Sequence, residues 1–291
     1  MKKILPRLLI FFVGCPVIFF LVWGLPYRNH LALNILVILV SILGALEFQH
    51  ILKKKRLVIS IPETLVLGGL GPIAMTLEVS FAQNENALLA MIALGASWLL
   101  VSRAFYPLSK LADCASRVAA GFAVMIYPGL FLAWIIRMSF KPESESPLSS
   151  VVILAFLFIV FAGDSIAWAA GMLFGKGNRG IIPASPNKSI AGFASGLTAS
   201  TLVGTAAGLL FPEAFESSAA PSAAGTTVLG FATGLAAILG DLGESVFKRS
   251  SGIKDSGTIM PGRGGVLDSV DSIALAAPVF YVVYMWFFRG H

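Results

Sequence analysis

The sequence contains little charge for its length: Asp, Glu, Lys and Arg make up 12% of its 291 residues, while hydrophobic residues make up 57%. A soluble domain carries about a quarter charged residues, so this composition excludes an ordinary soluble protein. Only two cysteines are present, Cys15 and Cys114, which excludes a disulfide framework. The three histidines, His30, His50 and His291, are scattered along the chain and do not indicate a histidine-based metal site.

Two common chemical motifs are also missing. The chain has no G-x-x-x-x-G-K-[ST] phosphate loop and no H-E-x-x-H zinc motif. The net charge of +6 does not indicate nucleic-acid binding, because the basic residues occur in short clusters between apolar runs. Clusters of that kind set membrane topology and attract anionic lipid. We therefore expect no nucleic-acid partner.

Apolar runs dominate what is present, and most are long enough to cross a bilayer as helices. Because lipid leaves exposed backbone groups without hydrogen-bond partners, each such run is predicted to be helical. The sequence therefore predicts an all-α, polytopic membrane protein with about nine transmembrane helices. The runs lie near residues 8–24, 31–48, 57–77, 87–102, 118–138, 149–174, 190–211, 226–247 and 272–288.

The basic residues predict the orientation of the chain. Of its 21 Lys and Arg residues, 17 fall in alternate loops on one predicted side of the membrane. Cytoplasmic loops carry an excess of such residues, so the N-terminus and these loops are predicted to be cytoplasmic. The first run is interpreted as a retained signal-anchor helix, since no convincing cleavage site follows it.

The two halves of the chain differ in composition. Residues 1–150 use large aliphatic and phenylalanine side chains, and we expect them to play a supporting role. Residues 151–291 are expected to carry the catalytic region, with cytoplasmic loops at 176–189 and 248–271. This half is rich in small residues with GxxxG spacing, at Gly192 with Gly196 and at Gly230 with Gly234, which predicts tightly packed helices.

A charge costs about 2.5 to 3.5 kcal/mol at the centre of a span, and four carboxylates are candidates for such positions; Glu63 and Glu78, near span ends, are interpreted as interfacial. Glu47, beside "FQHILKKKR", is interpreted as a snorkelling partner for the lysines, with a functional role as the alternative. Asp164 is expected to shape a polar cavity. Asp241 and Glu244 are three residues apart and so share one helical face; Lys248 follows four residues later, and a plain Glu244–Lys248 pair is the alternative to a site.

The stretch "SVFKRSSGIKDSGTIMPGRGGVLDSVDS", residues 245–272, adds a charged, glycine-rich loop. Cations neutralise phosphate oxygens, glycines let backbone N–H groups approach them, and carboxylates at helix ends hold divalent ions. Together these groups indicate phosphoryl or nucleotidyl transfer. The alternatives are a solvated connection and, for Asp268 and Asp271, ordinary helix caps. Loop 176–189 adds Lys176, Arg179, Ser185 and Lys188 on the same predicted side.

These residues resemble the signature of the phosphatidate cytidylyltransferases, or CDP-diacylglycerol synthases. "DSIAWAAGMLFGK" and "SPNKSIAGF" are also similar to segments of that family. Three positions differ from its pattern: Arg263 replaces a histidine, Ser269 an arginine and Trp168 a tyrosine. The matching residues are Ser245, Lys248, Arg249, Lys254, Asp255, Pro261, Gly264, Gly265, Asp268 and Asp271.

The resemblance implies an enzyme that converts CTP and phosphatidate to CDP-diacylglycerol and pyrophosphate, in the cell inner membrane, with its site on the cytoplasmic side. It implies Mg²⁺ held by Asp241, Asp268 and Asp271; a second metal ion and a homodimer are left open. CTP, phosphatidate and membrane lipids are the expected partners. The expected catalytic residues are Asp241, Lys248, Arg249, Lys254, Asp255, Asp268 and Asp271. The expected substrate-binding residues are Asp164, Lys176, Ser185, Lys188, Glu244, Ser245, Arg263, Gly264 and Gly265.

Two other functions fit parts of the pattern. A CTP-dependent kinase of polyprenols or related lipids would use similar groups and yield a lipid monophosphate. A transporter would also place carboxylates among glycine-rich helices. The clustering of charges on one predicted side, away from the midplane, favours an enzyme over a transporter.

Overall fold

The fold is built from helices joined by loops in the part of the chain that the computed structural model describes, which comprises residues 10–81, 86–139, 146–216, 222–260, 262 and 264–288. No strand occurs within those ranges, and the predicted all-α class is confirmed. Among the described residues, eight helices are long and apolar enough to cross a membrane. The chain is therefore a multi-pass membrane protein.

A shorter apolar helix, α1 (Phe12–Gly24), precedes the eight long ones. It coincides with the first predicted span, and residues 1–9 before it lie outside the described ranges. The total of nine spans and the cytoplasmic N-terminus stay predictions. The long helices are α2 (Tyr27–Lys53), α3 (Ile61–Phe81), α4 (Ala87–Ala104), α5 (Cys114–Arg137), α6 (Ser146–Phe174), α7 (Ile190–Leu210), α8 (Ser222–Ser250) and α9 (Leu267–Phe288).

The chain forms two compact units, each built from two stretches of sequence. Unit 1 comprises Met1–Glu143 and Phe247–Val270, and unit 2 comprises Ser144–Val246 and Asp271–His291. Unit 1 therefore includes the last residues of α8 and the first of α9. The functional division at residue 150, predicted from composition, stays a prediction.

The core of unit 1 packs the C-terminal half of α2 against the segment that begins at Phe247. The Phe48 ring lies 5.1 Å from the Phe247 ring and 5.1 Å from that of Tyr127. Leu267, at the start of α9, is buried in the same apolar cluster. The Ser41 hydroxyl, two turns earlier in α2, lies within hydrogen-bond distance of the carbonyl oxygens of Gly68 and Pro128, at 2.7 and 2.6 Å. This core fixes the end of α2 beside the segment that precedes α9.

Small residues hold the helices of unit 2 at close range, as the GxxxG spacing predicts. A Cβ on Gly196 of α7 would lie 2.8 Å from the Gly163 carbonyl oxygen of α6. A Cβ on Gly230 of α8 would lie 2.6 Å from the Ser200 carbonyl oxygen of α7. The Ser200 hydroxyl, in turn, donates to the Ile159 carbonyl at 2.9 Å. Close backbone approach therefore replaces large side chains along these contacts.

Candidate functional site

Lys248 and Asp268 form the central ion pair of unit 1. The Lys248 Nζ lies 2.6 Å from Oδ1 of Asp268, and the two side chains are only 11% and 7% exposed. Lys248 is in the last turn of α8, and Asp268 is in the first turn of α9. A basic residue at a helix C-terminus and an acidic one at an N-terminus each suit the helix dipole. The pair therefore joins the two ends of the segment between these helices.

The second oxygen of Asp268 binds that segment. Oδ2 accepts hydrogen bonds from the Ser256 N–H at 2.8 Å and the Gly265 N–H at 2.7 Å, and the Ser256 hydroxyl oxygen lies 2.9 Å away. Both carboxylate oxygens of Asp268 are therefore engaged by protein donors. Its predicted metal ligation stays a prediction.

Gly264 and Gly265 have local structural reasons to be glycine. Gly264 has φ of +109°, and a Cβ there would lie 2.5 Å from Oδ2 of Asp268. A Cβ on Gly265 would overlap the Ser256 hydroxyl and the carboxylate of Glu47. Their N–H groups donate to Met260 and Asp268 respectively. Substrate binding through these two glycines stays a prediction.

Glu47 of α2 is bound to the same segment, which the sequence interpretation missed. This side chain is 7% exposed. Its Oε1 accepts from the Val266 N–H at 3.0 Å, and its Oε2 accepts from the Leu267 N–H at 2.8 Å and the Ser256 hydroxyl at 3.0 Å. The interpretation as a partner for the lysines is therefore corrected, because both oxygens of Glu47 accept hydrogen bonds from Ser256, Val266 and Leu267 instead. A carboxylate within an apolar span was the available signal.

In unit 2, the loop after α6 brings a lysine to α8. Lys188 forms an ion pair with Asp241. The loop is held by the Arg179 guanidinium, which donates to the Gly171 carbonyl at 2.6 Å, and by the Gly180 N–H, which donates to the Pro186 carbonyl at 3.0 Å. The predicted residues Lys176 and Ser185 also lie on this loop, the first exposed and the second half-buried.

Unit 2 also gathers carboxylates from three helices. At Gly240 the backbones of α8 and α9 approach so closely that a Cβ would lie 2.6 Å from the Asp271 carbonyl oxygen. This approach brings Asp271 within Coulombic range of Asp241, Glu244 and Asp164. Glu244 is 0% exposed. The result is an acidic cluster, and Lys188 forms an ion pair with one of its members, Asp241.

The two ends of the acidic cluster differ in their surroundings. Asp164 lies 3.4 Å from the Ser272 hydroxyl, which donates to it. Asp241 is half-buried beside the loop lysine, Lys188.

Within the described ranges, no three His, Cys, Asp or Glu side chains are gathered tightly enough to hold a metal ion. The donor chemistry nevertheless suits Mg²⁺, which prefers carboxylate oxygens.

Comparison with known proteins identifies the family. The sequence model described as the Cytidylyltransferase family matches residues 5–287. The chain belongs to this family. Relatives named phosphatidate cytidylyltransferase occur in Haemophilus influenzae, 36% identical over 162 residues and 54% of each chain, and in Pseudomonas aeruginosa, 42% identical over 135 residues, 46% of this chain and 47% of the relative.

A relative of the same name in Staphylococcus aureus is 30% identical over 259 residues, which are 86% of this chain and 89% of the relative. The matches to the Haemophilus and Pseudomonas proteins thus span about half the length of those relatives, whereas the Staphylococcus match spans most of it.

The remaining residues of the cytidylyltransferase signature are distributed as follows. Arg249, Lys254 and Asp255 are exposed, and Ser245 is buried. Arg263 lies outside the described residues. Asp241 and Asp271 belong to unit 2, whereas Asp268 belongs to unit 1, so ligation of one ion by all three stays a prediction.

Proposed function

We propose that this member of the cytidylyltransferase family transfers the cytidylyl group of CTP to phosphatidate, which yields CDP-diacylglycerol and pyrophosphate. The observation that carries the proposal is the acidic cluster of unit 2, paired at one end with Lys188. Family membership and the three named relatives support the same reaction.

The acidic cluster has the composition of a cation site. Carboxylates that repel one another at low dielectric need a proton or a cation to compensate their charge. Lys188 compensates Asp241 in part. We propose that Asp241 and Asp271 hold Mg²⁺ with support from Glu244. Ligation by Asp268 stays a prediction. When bound, Mg²⁺ would neutralise charge on the reacting phosphates.

The protein's cations have the complementary role. Lys248 is held by Asp268 in a buried pair, so its ammonium is already oriented before a phosphate arrives. Arg249 and Lys254 are exposed, where an incoming nucleotide can reach them. A cationic side chain attracts phosphate oxygens and lowers the cost of bringing two anions together. We propose that these three residues bind the substrate phosphates, with Ser185 and Lys188 contacting the nucleotide or the lipid headgroup.

The reaction needs no nucleophile from the protein. An oxygen of the lipid phosphate attacks the α-phosphorus of CTP, the new P–O bond forms in line, and the bond to the bridging oxygen of the β-phosphate breaks. Pyrophosphate leaves with that electron pair. We propose that this takes place at the cytoplasmic face of the inner membrane, where a membrane-bound lipid meets a soluble nucleotide. A homodimer stays a prediction, which light scattering of the purified protein tests.

The test is product formation by purified protein in detergent micelles that contain phosphatidate, CTP and Mg²⁺. We expect CDP-diacylglycerol and an equal amount of pyrophosphate. Asp271→Asn should lower kcat/KM by about 100-fold or more, since it removes charge where phosphate charge must be stabilised. Glu213→Gln is the matched control, because Glu213 is an exposed carboxylate of unit 2 outside the acidic cluster.

Three results would contradict the proposal. Formation of a lipid monophosphate and CDP, in micelles that contain a polyprenol in place of phosphatidate, would identify a kinase. Wild-type protein that releases no pyrophosphate in the presence of both substrates would exclude cytidylyl transfer. Full activity of Asp271→Asn would exclude the metal assignment.

A further inference from the structure

Glu47 is a carboxylate placed where burial is costly. It lies within the span α2 beside Ala45 and Phe48, both fully buried. A buried carboxylate must be compensated by hydrogen bonds or by a cation. Glu47 receives three hydrogen bonds, all of them from residues that follow it by more than 200 positions. The charge of Glu47 is therefore compensated by residues of the stretch 245–272, which carries the family signature and is called the signature segment below.

Two of the three donors are consecutive backbone N–H groups at the start of α9. The first N–H groups of a helix have no partner within the helix, and a negative charge there is favourable. Glu47 divides its oxygens between them: Oε1 accepts from Val266 and Oε2 from Leu267. The carboxylate thus caps α9 from a different part of the chain.

The segment is shaped around this carboxylate. A Cβ on Gly257 would lie 2.5 Å from Oε1 of Glu47, and one on Gly265 would overlap Oε2. The buried Ser256 hydroxyl lies within hydrogen-bond distance of both Glu47 and Asp268. Glu47 and Asp268 therefore contact the same serine, and Asp268 also forms an ion pair with Lys248.

We propose that Glu47 is a positioning residue for the reaction: it holds Ser256, Val266 and Leu267 in place and thereby fixes the orientation of the Asp268–Lys248 pair. The inference rests on the proposed function. Glu47 touches neither substrate, and it acts through the backbone of Val266 and Leu267 and through Ser256. Groups that support reactive residues in this way typically change activity by about 10- to 100-fold when they are removed.

The substitution Glu47→Gln tests the need for two accepting oxygens. Glutamine keeps the size of the side chain but replaces one oxygen with an NH₂ donor. The NH₂ group must take the place of one of the two oxygens. It then faces either the Val266 N–H, or the Leu267 N–H together with the Ser256 hydroxyl. Because two N–H groups cannot hydrogen-bond to each other, at least one bond is lost. Glu47→Asp keeps both oxygens on a shorter side chain, and we expect it to restore part of the activity.

Glu78→Gln is the matched control. Glu78 is also a buried carboxylate in a span of unit 1, and it also accepts a backbone N–H, that of Leu88 at 2.8 Å, beside its ion pair with Arg137. Both Gln variants disturb a buried carboxylate, but only Glu47→Gln disturbs the signature segment. General destabilisation would affect both variants alike.

Two measurements are made on each full-length variant in detergent. Amide hydrogen exchange reports whether residues 256–268 open more readily, and we expect faster exchange in Glu47→Gln only. Steady-state kinetics report KM for CTP and for phosphatidate. A smaller folded fraction lowers the apparent kcat without changing KM, whereas a displaced Lys248 raises KM for a phosphate-bearing substrate. We expect kcat/KM to fall about 10- to 100-fold in Glu47→Gln and to change less than about twofold in Glu78→Gln.

Unchanged exchange in residues 256–268 of Glu47→Gln would overturn the inference. So would faster exchange with both KM values and kcat unchanged. Wild-type protein without cytidylyl transfer would overturn the proposed function instead, and faster exchange in Glu47→Gln would then still support anchoring by Glu47.

Discussion

Gly265→Ala is the sharpest test of how the signature segment is packed. Gly265 has no room for a Cβ, because that atom would overlap the Ser256 hydroxyl and lie 2.7 Å from the carboxyl carbon of Glu47. Inserting one methyl group into a well-packed site costs about 1 to 3 kcal/mol. Displacing Glu47 or Ser256 also weakens a hydrogen bond to a charged acceptor, which adds about 1.5 to 3 kcal/mol. We therefore expect a loss of roughly 2.5 to 6 kcal/mol in the free energy of unfolding.

Gly243→Ala is the control for this substitution. A Cβ on Gly243, within α8, would meet nothing within 4 Å. Alanine is the better helix former by about 0.5 to 1 kcal/mol, so this variant should be as stable as the wild type or more stable. The assay is thermal unfolding in detergent, followed by intrinsic tryptophan fluorescence. A change of about 1 kcal/mol in the free energy of unfolding shifts Tm by about 2 to 4 °C in a chain of this size class. The Tm of Gly265→Ala should therefore lie at least about 5 °C below that of the wild type. Equal Tm values for the two variants would refute the packing argument.

Two further substitutions test contacts away from the signature. Gly204→Ala should lower Tm in the same assay by several degrees, because its Cβ would lie 2.7 Å from the Gly230 backbone and the two helices must separate; a Tm equal to that of the wild type would contradict the close approach. Arg103→Met should lower the free energy of unfolding by about 3 to 5 kcal/mol, because it leaves Glu63 without the guanidinium that lies 2.7 Å away. The double variant Arg103→Met with Glu63→Leu should recover most of that stability. No recovery in the double variant would contradict the pairing.

The sequence was sufficient for the features that depend on periodic or local patterns. Long apolar runs predict helices because lipid offers no partners to the backbone, and the structure confirms the all-α class. The GxxxG spacing predicts close contacts, which Gly196 and Gly230 make. The signature predicts the family, which the comparison confirms. Each of these inferences needs only residues within a short window.

Partners that are far apart in the sequence were beyond such reasoning. Nothing in "FQHILKKKR" indicates that Glu47 faces residues 256–267, so the nearby lysines were the obvious and wrong choice of partner. Asp268 was predicted as a metal ligand, with a helix cap as the alternative. In the structure its oxygens bind Lys248, Ser256 and Gly265. The sequence predicts that a carboxylate will accept hydrogen bonds or bind a cation. Which donors contact it depends on how segments that are distant in the sequence pack together.

The distance along the chain between Glu47 and its donors has a consequence for biogenesis. Leu267 is synthesised 220 residues after Glu47, which at about 5 to 20 residues per second is a delay of roughly 10 to 45 s. During that interval α2 carries an ionisable group whose eventual donors do not yet exist. A nascent chain halted before residue 256 should therefore hold the second helix less firmly in the bilayer than the completed protein does, and glycosylation or cysteine-labelling of arrested chains would reveal the difference.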